Sequence, residues 1–451
     1  MSRVMGEQAP PVTYSRVNEA VMGMLEKPSS KWWALFIFDL AVLAFGIWCF
    51  VYQVKTGLGV AGYSLPVFWG VYITNFVFWV GIAHSGTLIS AILFLFRARF
   101  RMSIYRIAEA MTVFAVATAG LFPIIHLGRS WFFYWLFPYP NQRELWVNFK
   151  SPLVWDVFAV GTYATVSTVF FMVGMIPDIA AARDKVKTGL RKVIYTLLSF
   201  GWKGSTWEWM HFSRAYFYFA AFATPLVISV HSVVSWDFAM ANTPGWHSTI
   251  FPPYFVAGAI FSGLGMVITL TVPLRKIFKL EDLITVDNYE GMAKLIILTS
   301  SIVTYAYLTE FFMAWYGGNP FEYDQFIYRA TGDYALFYWI MIVCNSVIPL
   351  SLWSKRIRRN IKVLFIISIF INIGMWFERF NIIVISLSRE FEPGTWGFYK
   401  PTFVELGITA GSFAWFLMFF LLFIKTLPAL SIAEIKETLR VPRKREAQPS
   451  E

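Results

Sequence analysis

The chain has 451 residues, of which 57% are hydrophobic and 14% are charged, and its formal net charge is +11. A soluble protein needs a largely polar surface, so this composition excludes that class and predicts an integral membrane protein. Stretches such as 35–50 and 416–424 are almost continuously apolar. They favour membrane-spanning helices over an outer-membrane barrel, whose strands alternate in polarity.

Residues 1–31 are predicted to form a polar cytoplasmic extension. They lack a basic region followed by a short apolar stretch and a small-residue cleavage site, so we expect no cleaved signal peptide. Within the extension, residues 16–27 mix apolar and charged positions. This pattern fits either a short helix on the membrane surface or a disordered tail.

Ten apolar runs along the chain have the length of about 20 residues that crosses a hydrocarbon core about 30 Å thick. They lie near 32–53, 67–96, 105–127, 153–177, 214–239, 253–273, 293–316, 334–353, 362–387 and 402–424. The predicted fold class is therefore an all-α integral membrane protein with ten transmembrane helices, in a membrane domain at 32–427. Helices 2–5 (about 67–239) and 6–9 (about 253–387) are expected to form two four-helix bundles, flanked by helices 1 and 10.

A weak internal repeat supports this architecture. The pair Ser85-Gly86 precedes Arg97, and the pair Ser262-Gly263 precedes Arg275 at almost the same interval. Both pairs lie on helices that run toward the predicted cytoplasmic side, and repeats of this kind are familiar in membrane proteins. The repeat therefore predicts two parallel four-helix bundles.

The positions of Lys and Arg set the orientation, because loops rich in these residues stay in the cytoplasm. They collect after helices 2, 4, 6 and 8 and at the end of the chain, at Arg97, Arg99, Arg101, Arg183, Lys185, Lys187, Arg191, Lys192, Lys203, Arg275, Lys276, Lys279, Lys355, Arg356, Arg358, Arg359, Arg440, Arg443, Lys444 and Arg445. Both termini, including a basic tail at 428–451, are therefore predicted to be cytoplasmic. Topology also explains the net charge without a nucleic-acid partner.

The chain offers few ligands for a redox cofactor of its own. Its two cysteines, Cys49 and Cys344, are too few for an iron-sulfur cluster, which generally needs four ligands. A haem held by two intramembrane histidines is harder to exclude, but the candidates differ in predicted depth. We expect no haem, no iron-sulfur cluster and no metal site in this chain, so other subunits must supply any soluble redox domain.

Four ionisable residues fall near the predicted external ends of helices 3, 4 and 5, namely His126, Asp156, His231 and Asp237. Ionisable groups in a membrane span are costly and by default indicate function. Residues 231 and 237 are separated by about 240° around one helix, so we rank Asp237 above His231. Two alternatives stay open. The position of His126 also fits that of an interfacial residue, and the position of Asp156 also fits that of a charge favoured at a helix N-terminus.

A histidine and carboxylates at this depth suit quinol oxidation. Histidine exchanges protons near neutral pH, and a carboxylate in a low-dielectric site does likewise. A hydroquinone releases two electrons and two protons, and its tail needs an apolar path from lipid. The aromatic residues nearby, which fit either a quinol slot or an interfacial belt, are Trp131, Phe132, Phe133, Tyr134 and Trp155.

The second predicted bundle has a polar set of its own. Its members are Tyr305, Tyr307, Glu310, Asn345, Asn372, Glu378 and Arg379. Such residues inside a membrane fit a proton route, which we expect along helix 7 at Tyr305 and Tyr307. The alternative is that Glu378 or Glu310 simply pairs with Arg379 and stabilises the fold.

Motifs within residues 80–160 carry a resemblance to a known family. They are His84-Ser-Gly-Thr-Leu-Ile-Ser-Ala91, Arg106 with Ala108-Glu-Ala-Met111, Phe122-Pro-Ile-Ile-His-Leu-Gly-Arg129, Phe137-Pro-Tyr-Pro-Asn141 and Ser151-Pro-Leu-Val-Trp-Asp156. With them the chain resembles the NrfD/PsrC-type membrane subunits, most closely the ten-helix ActC subunits that oxidise quinol in bacterial alternative complex III. The resemblance implies that His126, Asp156 and Asp237 surround the quinol head group as catalytic residues. Further candidates for quinol binding are His231, Arg129, Trp155 and His84.

The resemblance also implies a setting in the bacterial inner membrane. The chain is then one subunit of an oxidoreductase complex, not catalytic alone, that binds quinol, with menaquinol expected. It passes electrons to a periplasmic iron-sulfur subunit and takes part in proton translocation. The other implied partners are a paralogous NrfD-like membrane subunit, haem c subunits, small membrane subunits and lipids.

Two alternative functions stay open at this point. The related ActF-type subunit of the same complex does not oxidise quinol and has a structural or proton-path role; His126 and Asp156 favour the ActC type. A proton-coupled transporter would place its site near the middle of the membrane, whereas the polar cluster here is predicted to lie toward the outside.

Overall fold

The computed structural model describes residues 12–138 and 149–439, without the side chains of Arg99 and Thr438. Ten helices in these ranges are long and apolar enough to cross a membrane, and we call them spans 1 to 10. Their bounds are Ser30–Thr56, Val71–Leu95, Tyr105–His126, Pro152–Lys185, Thr206–Ala239, Phe251–Ile277, Val286–Tyr316, Ala335–Trp353, Ile361–Ser388 and Phe403–Thr426. The predicted all-helical class and the ten transmembrane helices are confirmed. Residues 139–141 of one motif and the basic residues from Arg440 onward lie outside the described residues.

Shorter elements connect the spans. They are the helices Tyr14–Met24, Leu190–Leu198, Pro320–Thr331 and Ile432–Thr438, the 3₁₀ turns Leu58–Val60, Arg99–Arg101, Ser130–Leu136 and Pro393–Thr395, and the π-helical turns Leu88–Ile92, Val343–Val347 and Asn381–Ile385 inside spans 2, 8 and 9. The N-terminal helix lies where the sequence allowed either a helix or a disordered tail. It packs on the protein, because Val17 and Val21 are fully buried and Arg16 pairs with Asp282 at 2.7 Å.

Spans 4 and 5 extend further than predicted at the predicted cytoplasmic end. Span 5 begins at Thr206, where Ser205 and Glu208 form a capping box that satisfies the first free backbone N–H groups. Span 4 continues through Pro177 to Lys185. Apolar length alone misses such ends, because the added turns are rich in polar and aromatic residues.

The spans pack as two bundles. Spans 2–5 contact one another in the first bundle and spans 6–9 in the second, while span 6 packs against spans 2 and 5. Span 2 is the most enclosed, since 94% of its apolar window is buried, against 72% for span 6. Spans 1 and 10 pack against each other, and span 10 continues onto spans 2 and 3. The two flanking helices therefore lie together, beside the first bundle.

Ser85 and Gly263, one residue from each Ser-Gly pair of the internal repeat, meet where span 2 crosses span 6. A Cβ atom added at Gly263 would lie 1.4 Å from Ser85 Oγ and 3.1 Å from the Ile82 carbonyl oxygen. Only glycine allows the two helices to approach so closely. The contact joins corresponding parts of the two bundles at the most enclosed place in the fold.

This crossing gives a stability prediction. Gly263→Ala should lower the free energy of unfolding by about 1–3 kcal/mol, because the new methyl group overpacks a tight helix contact. The measurement is thermal unfolding of the detergent-solubilised complex. Gly161→Ala is the matched control on span 4, where an added Cβ meets nothing within 4 Å. Equal melting temperatures for the two variants would contradict the prediction.

Candidate functional site

Asp156 and Asp237 form a carboxyl pair at the predicted external end of the first bundle. Span 4 begins at Pro152, which places Asp156 in its second turn, and Asp237 lies in the last turn of span 5. The two side chains lie next to each other. The neighbouring Trp155 and Trp236 make an edge-to-face contact at 5.8 Å between the same two spans.

This pair is built to hold a proton. Two ionised carboxylates side by side repel each other, so the pair is stabilised when one of them holds a proton. The Oδ1 atoms of Asp156 and Asp237 are buried and have no hydrogen-bond partner in the described part of the chain. Unpaired buried oxygens are costly, and they mark a position where a ligand hydroxyl or a proton can be accepted.

His126 has a different partner from the one that the sequence suggested. It ends span 3, and its Nδ1 lies 3.3 Å from the hydroxyl oxygen of Tyr63, whose ring it meets edge to face at 5.7 Å. In the described structure, His126 therefore contacts Tyr63, and Asp156 lies beside Asp237. That all three residues surround one head group stays a prediction.

A group of residues behind His126 was not predicted from the sequence. We call Gln53, Tyr63, Tyr72, Tyr399 and Glu405 the tyrosine cluster. Tyr72 donates to Gln53, and Tyr399 donates to Glu405 Oε1 at 2.5 Å. Tyr63 stacks on Tyr399 at 6.1 Å. The signal that could have found the cluster was a carboxylate in the first turn of an apolar helix, at the same predicted membrane face as His126.

His231 and His84 meet in the middle of the first bundle, away from the carboxyl pair. Their ring centroids are 4.6 Å apart, and His84 stacks on Tyr163 at 4.4 Å. Both histidines are buried, and neither His231 nitrogen has a partner in the described structure. His231 and Asp237 have different neighbours, in agreement with the helical-phase argument that ranked Asp237 first.

The remaining candidates in the first bundle lie at its rim. Arg129 is exposed, and the Trp155 indole donates to the Phe149 carbonyl at 2.6 Å. Trp131 and Phe133 are also exposed, at 56% and 46%. These aromatic residues fit the interfacial belt better than a closed quinol slot, and their role in binding stays a prediction.

Four members of the polar set in the second bundle form a connected network, namely Tyr307, Asn345, Glu378 and Arg379. Tyr307 donates to Glu378, and Asn345 donates to the Tyr307 hydroxyl at 2.9 Å. Arg379 lies 3.0 Å from Glu378 Oε1, so the predicted pairing of these two residues is present. Tyr305 is 64% exposed and faces away from the network. This exposure does not favour a place for Tyr305 on a proton route, whereas Tyr307 on the same span is buried.

Two cavities meet at Glu310. A pocket of about 10 Å³, roughly the room of one water molecule, is lined by Glu310, Tyr307 and Arg329. On the predicted external side, a cavity of about 700 Å³ also has Glu310 in its wall, together with Trp236. The Oε1 atom of Glu310 has no protein partner among the described residues. Glu310 thus separates the buried network from the larger cavity.

A second cluster that the sequence did not predict lies at the predicted cytoplasmic end of the first bundle. Arg106 pairs with Glu109 at 3.2 Å and with Asp178 at 3.1 Å, and it donates to the Gly174 carbonyl at 2.6 Å. Tyr216 donates to Glu109 at 3.0 Å. The sequence showed Arg106 and Glu109 only as part of a motif. It did not show their partners on other spans, so the cluster was not predicted.

Comparison with known proteins agrees with this architecture. The family described as "Polysulphide reductase, NrfD" matches residues 59–389 of the chain. The chain belongs to the NrfD family. The matched range contains spans 2–9 and leaves spans 1 and 10 outside it. The chain is therefore an NrfD-type integral membrane subunit.

Two relatives illustrate the range of the family. The chain is 25% identical to a putative membrane subunit of a dimethyl sulfoxide reductase from Halobacterium salinarum, over 82% of this chain and 85% of the relative. It is 20% identical to an "Hdr-like menaquinol oxidoreductase integral membrane subunit" of Archaeoglobus fulgidus, over 72% of each chain. Both names describe membrane subunits of redox complexes.

The Arg106 cluster gives a second stability prediction. Arg106→Met should cost about 3–5 kcal/mol, because it leaves Glu109 and Asp178 buried without their cation. Arg16→Met is the control, since Arg16 and its partner Asp282 are 38% and 30% exposed, and such a pair contributes about 0–1 kcal/mol. Thermal unfolding of the intact complex measures both. A melting temperature of Arg106→Met equal to that of the control would contradict the prediction.

Proposed function

We propose that this chain is the quinol-oxidising membrane subunit of a respiratory complex of the alternative complex III type, equivalent to ActC. The carboxyl pair Asp156–Asp237 is the observation that carries the proposal. It is buried, it lies at one end of the spans, and each carboxyl group keeps one oxygen without a protein partner in the described structure. Such a pair can take up the protons of a quinol head group.

The proposed reaction divides the work between this chain and its partners. A quinol loses two electrons and two protons as it becomes a quinone. Asp156, Asp237 and His126 accept hydrogen bonds and protons from the two hydroxyl groups of the head. The electrons pass to an iron-sulfur subunit bound at the external face. The site must therefore lie at the external end of the spans, as the distribution of Lys and Arg predicts.

The substrate and the setting follow from the same considerations. The Archaeoglobus relative is named for menaquinol, and menaquinol is the quinol that we propose here. The external cavity of about 700 Å³ has the size of a typical ligand pocket and borders Trp236, the residue before Asp237. We propose a bacterial inner membrane location, cytoplasmic termini, and a paralogous membrane subunit, haem c subunits and small membrane subunits as further partners.

The network in the second bundle supports an additional role in proton translocation. Glu378, Arg379, Tyr307 and Asn345 are joined at buried positions, and Glu310 lies between this group and the external cavity. Buried ionisable residues that reach a cavity are typical of proton paths in membrane proteins. We propose that protons cross the second bundle through this network.

Conservative substitutions test the quinol site. Asp156→Asn and Asp237→Asn keep the shape of the side chain but remove a proton acceptor, so each should lower the kcat of quinol oxidation about 100-fold in the assembled complex. Asp39→Asn is the matched control, because Asp39 is also a buried carboxylate, on span 1, with an unpartnered oxygen. Undiminished turnover in both site variants, with the complex assembled, would sink the site assignment.

A reconstitution experiment tests the proton path. In proteoliposomes that contain the complex, Glu378→Gln should reduce the number of protons translocated per electron by more than half, because an amide cannot carry a proton through the network. Tyr305→Phe should leave the ratio unchanged, since the Tyr305 hydroxyl faces away from the buried residues. A normal ratio in Glu378→Gln would refute a path through this bundle.

A further inference from the structure

The connection between spans 1 and 2 reaches over the end of span 3. It carries Tyr63, whose hydroxyl group lies 3.3 Å from Nδ1 of His126. The Tyr63 ring is placed between two others, edge to face with His126 at 5.7 Å and stacked on Tyr399 at 6.1 Å. Tyr63 thus contacts His126 both through its hydroxyl group and through its ring.

Glu405 at the start of span 10 holds this connection in place. Its side chain is fully buried, and Oε2 accepts the backbone N–H groups of Gly62 at 2.8 Å and Thr402 at 2.9 Å. A Cβ atom at Gly62 would lie 2.2 Å from the Lys400 carbonyl oxygen, so no larger residue fits there. The backbone next to Tyr63 is therefore fixed by span 10.

Tyr399 completes the attachment. Its hydroxyl group donates to Glu405 Oε1 at 2.5 Å and accepts from the Val71 N–H at 3.1 Å, at the start of span 2. The hydroxyl group of Tyr399 thus makes two hydrogen bonds, and these fix the ring against which Tyr63 stacks. Because the connection, span 2 and span 10 share these bonds, Tyr63 has little freedom to move away from His126.

A hydrogen bond at Nδ1 has a direct chemical consequence for His126. An imidazole has two ring nitrogens, and the bond that one of them makes sets the tautomer and the orientation of the other. Tyr63 occupies Nδ1, which leaves Nε2 for a substrate. Burial, and then the charge of Glu405, raises the pKa of Tyr63 above its ordinary value, so the phenol keeps its proton.

We infer that Tyr63 is a positioning residue for His126, held in turn by Glu405, and that it fixes which histidine nitrogen meets the quinol head group. This inference rests on the proposed function and deepens it. It assigns a role to the connection between spans 1 and 2 and to the first turn of span 10. Tyr63 acts through His126 and does not itself contact the reacting oxygen atoms.

Kinetics of the assembled complex provide one test. Tyr63→Phe keeps both ring contacts and removes the hydroxyl group, so kcat for quinol oxidation should fall about tenfold, the equivalent of one hydrogen bond. The KM should change less than about twofold, because the binding surface is retained. Tyr72→Phe is the matched control, since it removes a buried hydroxyl of the same cluster that binds Gln53 instead of His126.

A second readout is independent of activity. The chain has five histidines, so ¹⁵N-histidine labelling of this subunit gives few ring resonances, and His126→Gln identifies those of His126. Tyr63→Phe should shift both His126 nitrogen resonances, and Tyr72→Phe should leave them in place. Unchanged His126 resonances in Tyr63→Phe would overturn the positioning role.

The two proposals fail in different ways. Wild-type turnover in His126→Gln would remove His126 from the proposed quinol site, whatever the resonances show. A large loss of turnover in His126→Gln, together with normal kcat in Tyr63→Phe, would overturn only the role of Tyr63. Glu405→Gln keeps the acceptor for Gly62 and should therefore lower kcat less than Tyr63→Phe does.

Discussion

The cost of an ionisable group inside the membrane is the constraint on which this structure depends. Some of these groups have several partners. Arg106 binds two carboxylates and a carbonyl, and Glu405 accepts two backbone N–H groups and a phenol. Asp156, Asp237 and Glu310, like Asp39, each keep a buried oxygen without a hydrogen-bond partner in the described residues. The first kind stabilises helix contacts. Among the second kind, the oxygens of the carboxyl pair and of Glu310, which lines a cavity, are the ones that we assign to a ligand or a proton.

Close packing of spans 2 and 6 gives these groups a rigid frame. The contact of Ser85 with Gly263 lies at the centre of the domain, and residues of the first bundle attach to span 2 on one side of it. Tyr163 and Thr112 both donate to the Ala83 carbonyl, at 2.8 and 2.7 Å, which ties spans 3 and 4 to span 2. Because the frame is tight, the carboxyl pair between spans 4 and 5 has a defined geometry before any substrate binds.

The sequence predicts properties that lie within one helix and misses those that join distant segments. Apolar length gave all ten spans, and helical phase separated His231 from Asp237. Residues 305 and 307 are likewise about 200° apart around their helix. The helical period that ranked Asp237 above His231 therefore also places Tyr305 and Tyr307 on nearly opposite faces of span 7. The contact of His126 with Tyr63 was not predictable, because it joins a helix end to a loop 63 residues away. The bond that holds this loop joins Gly62 to Glu405, which are 343 residues apart in sequence. No periodicity relates a loop to the first turn of a helix at the other end of the chain.

Contacts with the surroundings of His126 explain the positions of the two flanking spans, 1 and 10. The family match covers spans 2–9, and within that core His126 ends span 3 beside a loop to which span 10 also binds. Span 1 contributes Gln53, which donates to the Ile125 carbonyl at 3.2 Å, next to His126. Span 10 contributes Glu405, which binds the loop that carries Tyr63. Span 10 therefore reaches His126 through Tyr63, and span 1 contacts the backbone beside it, both from outside the matched core. The packing of spans 1 and 10 against each other beside the first bundle places both helices at this end of span 3.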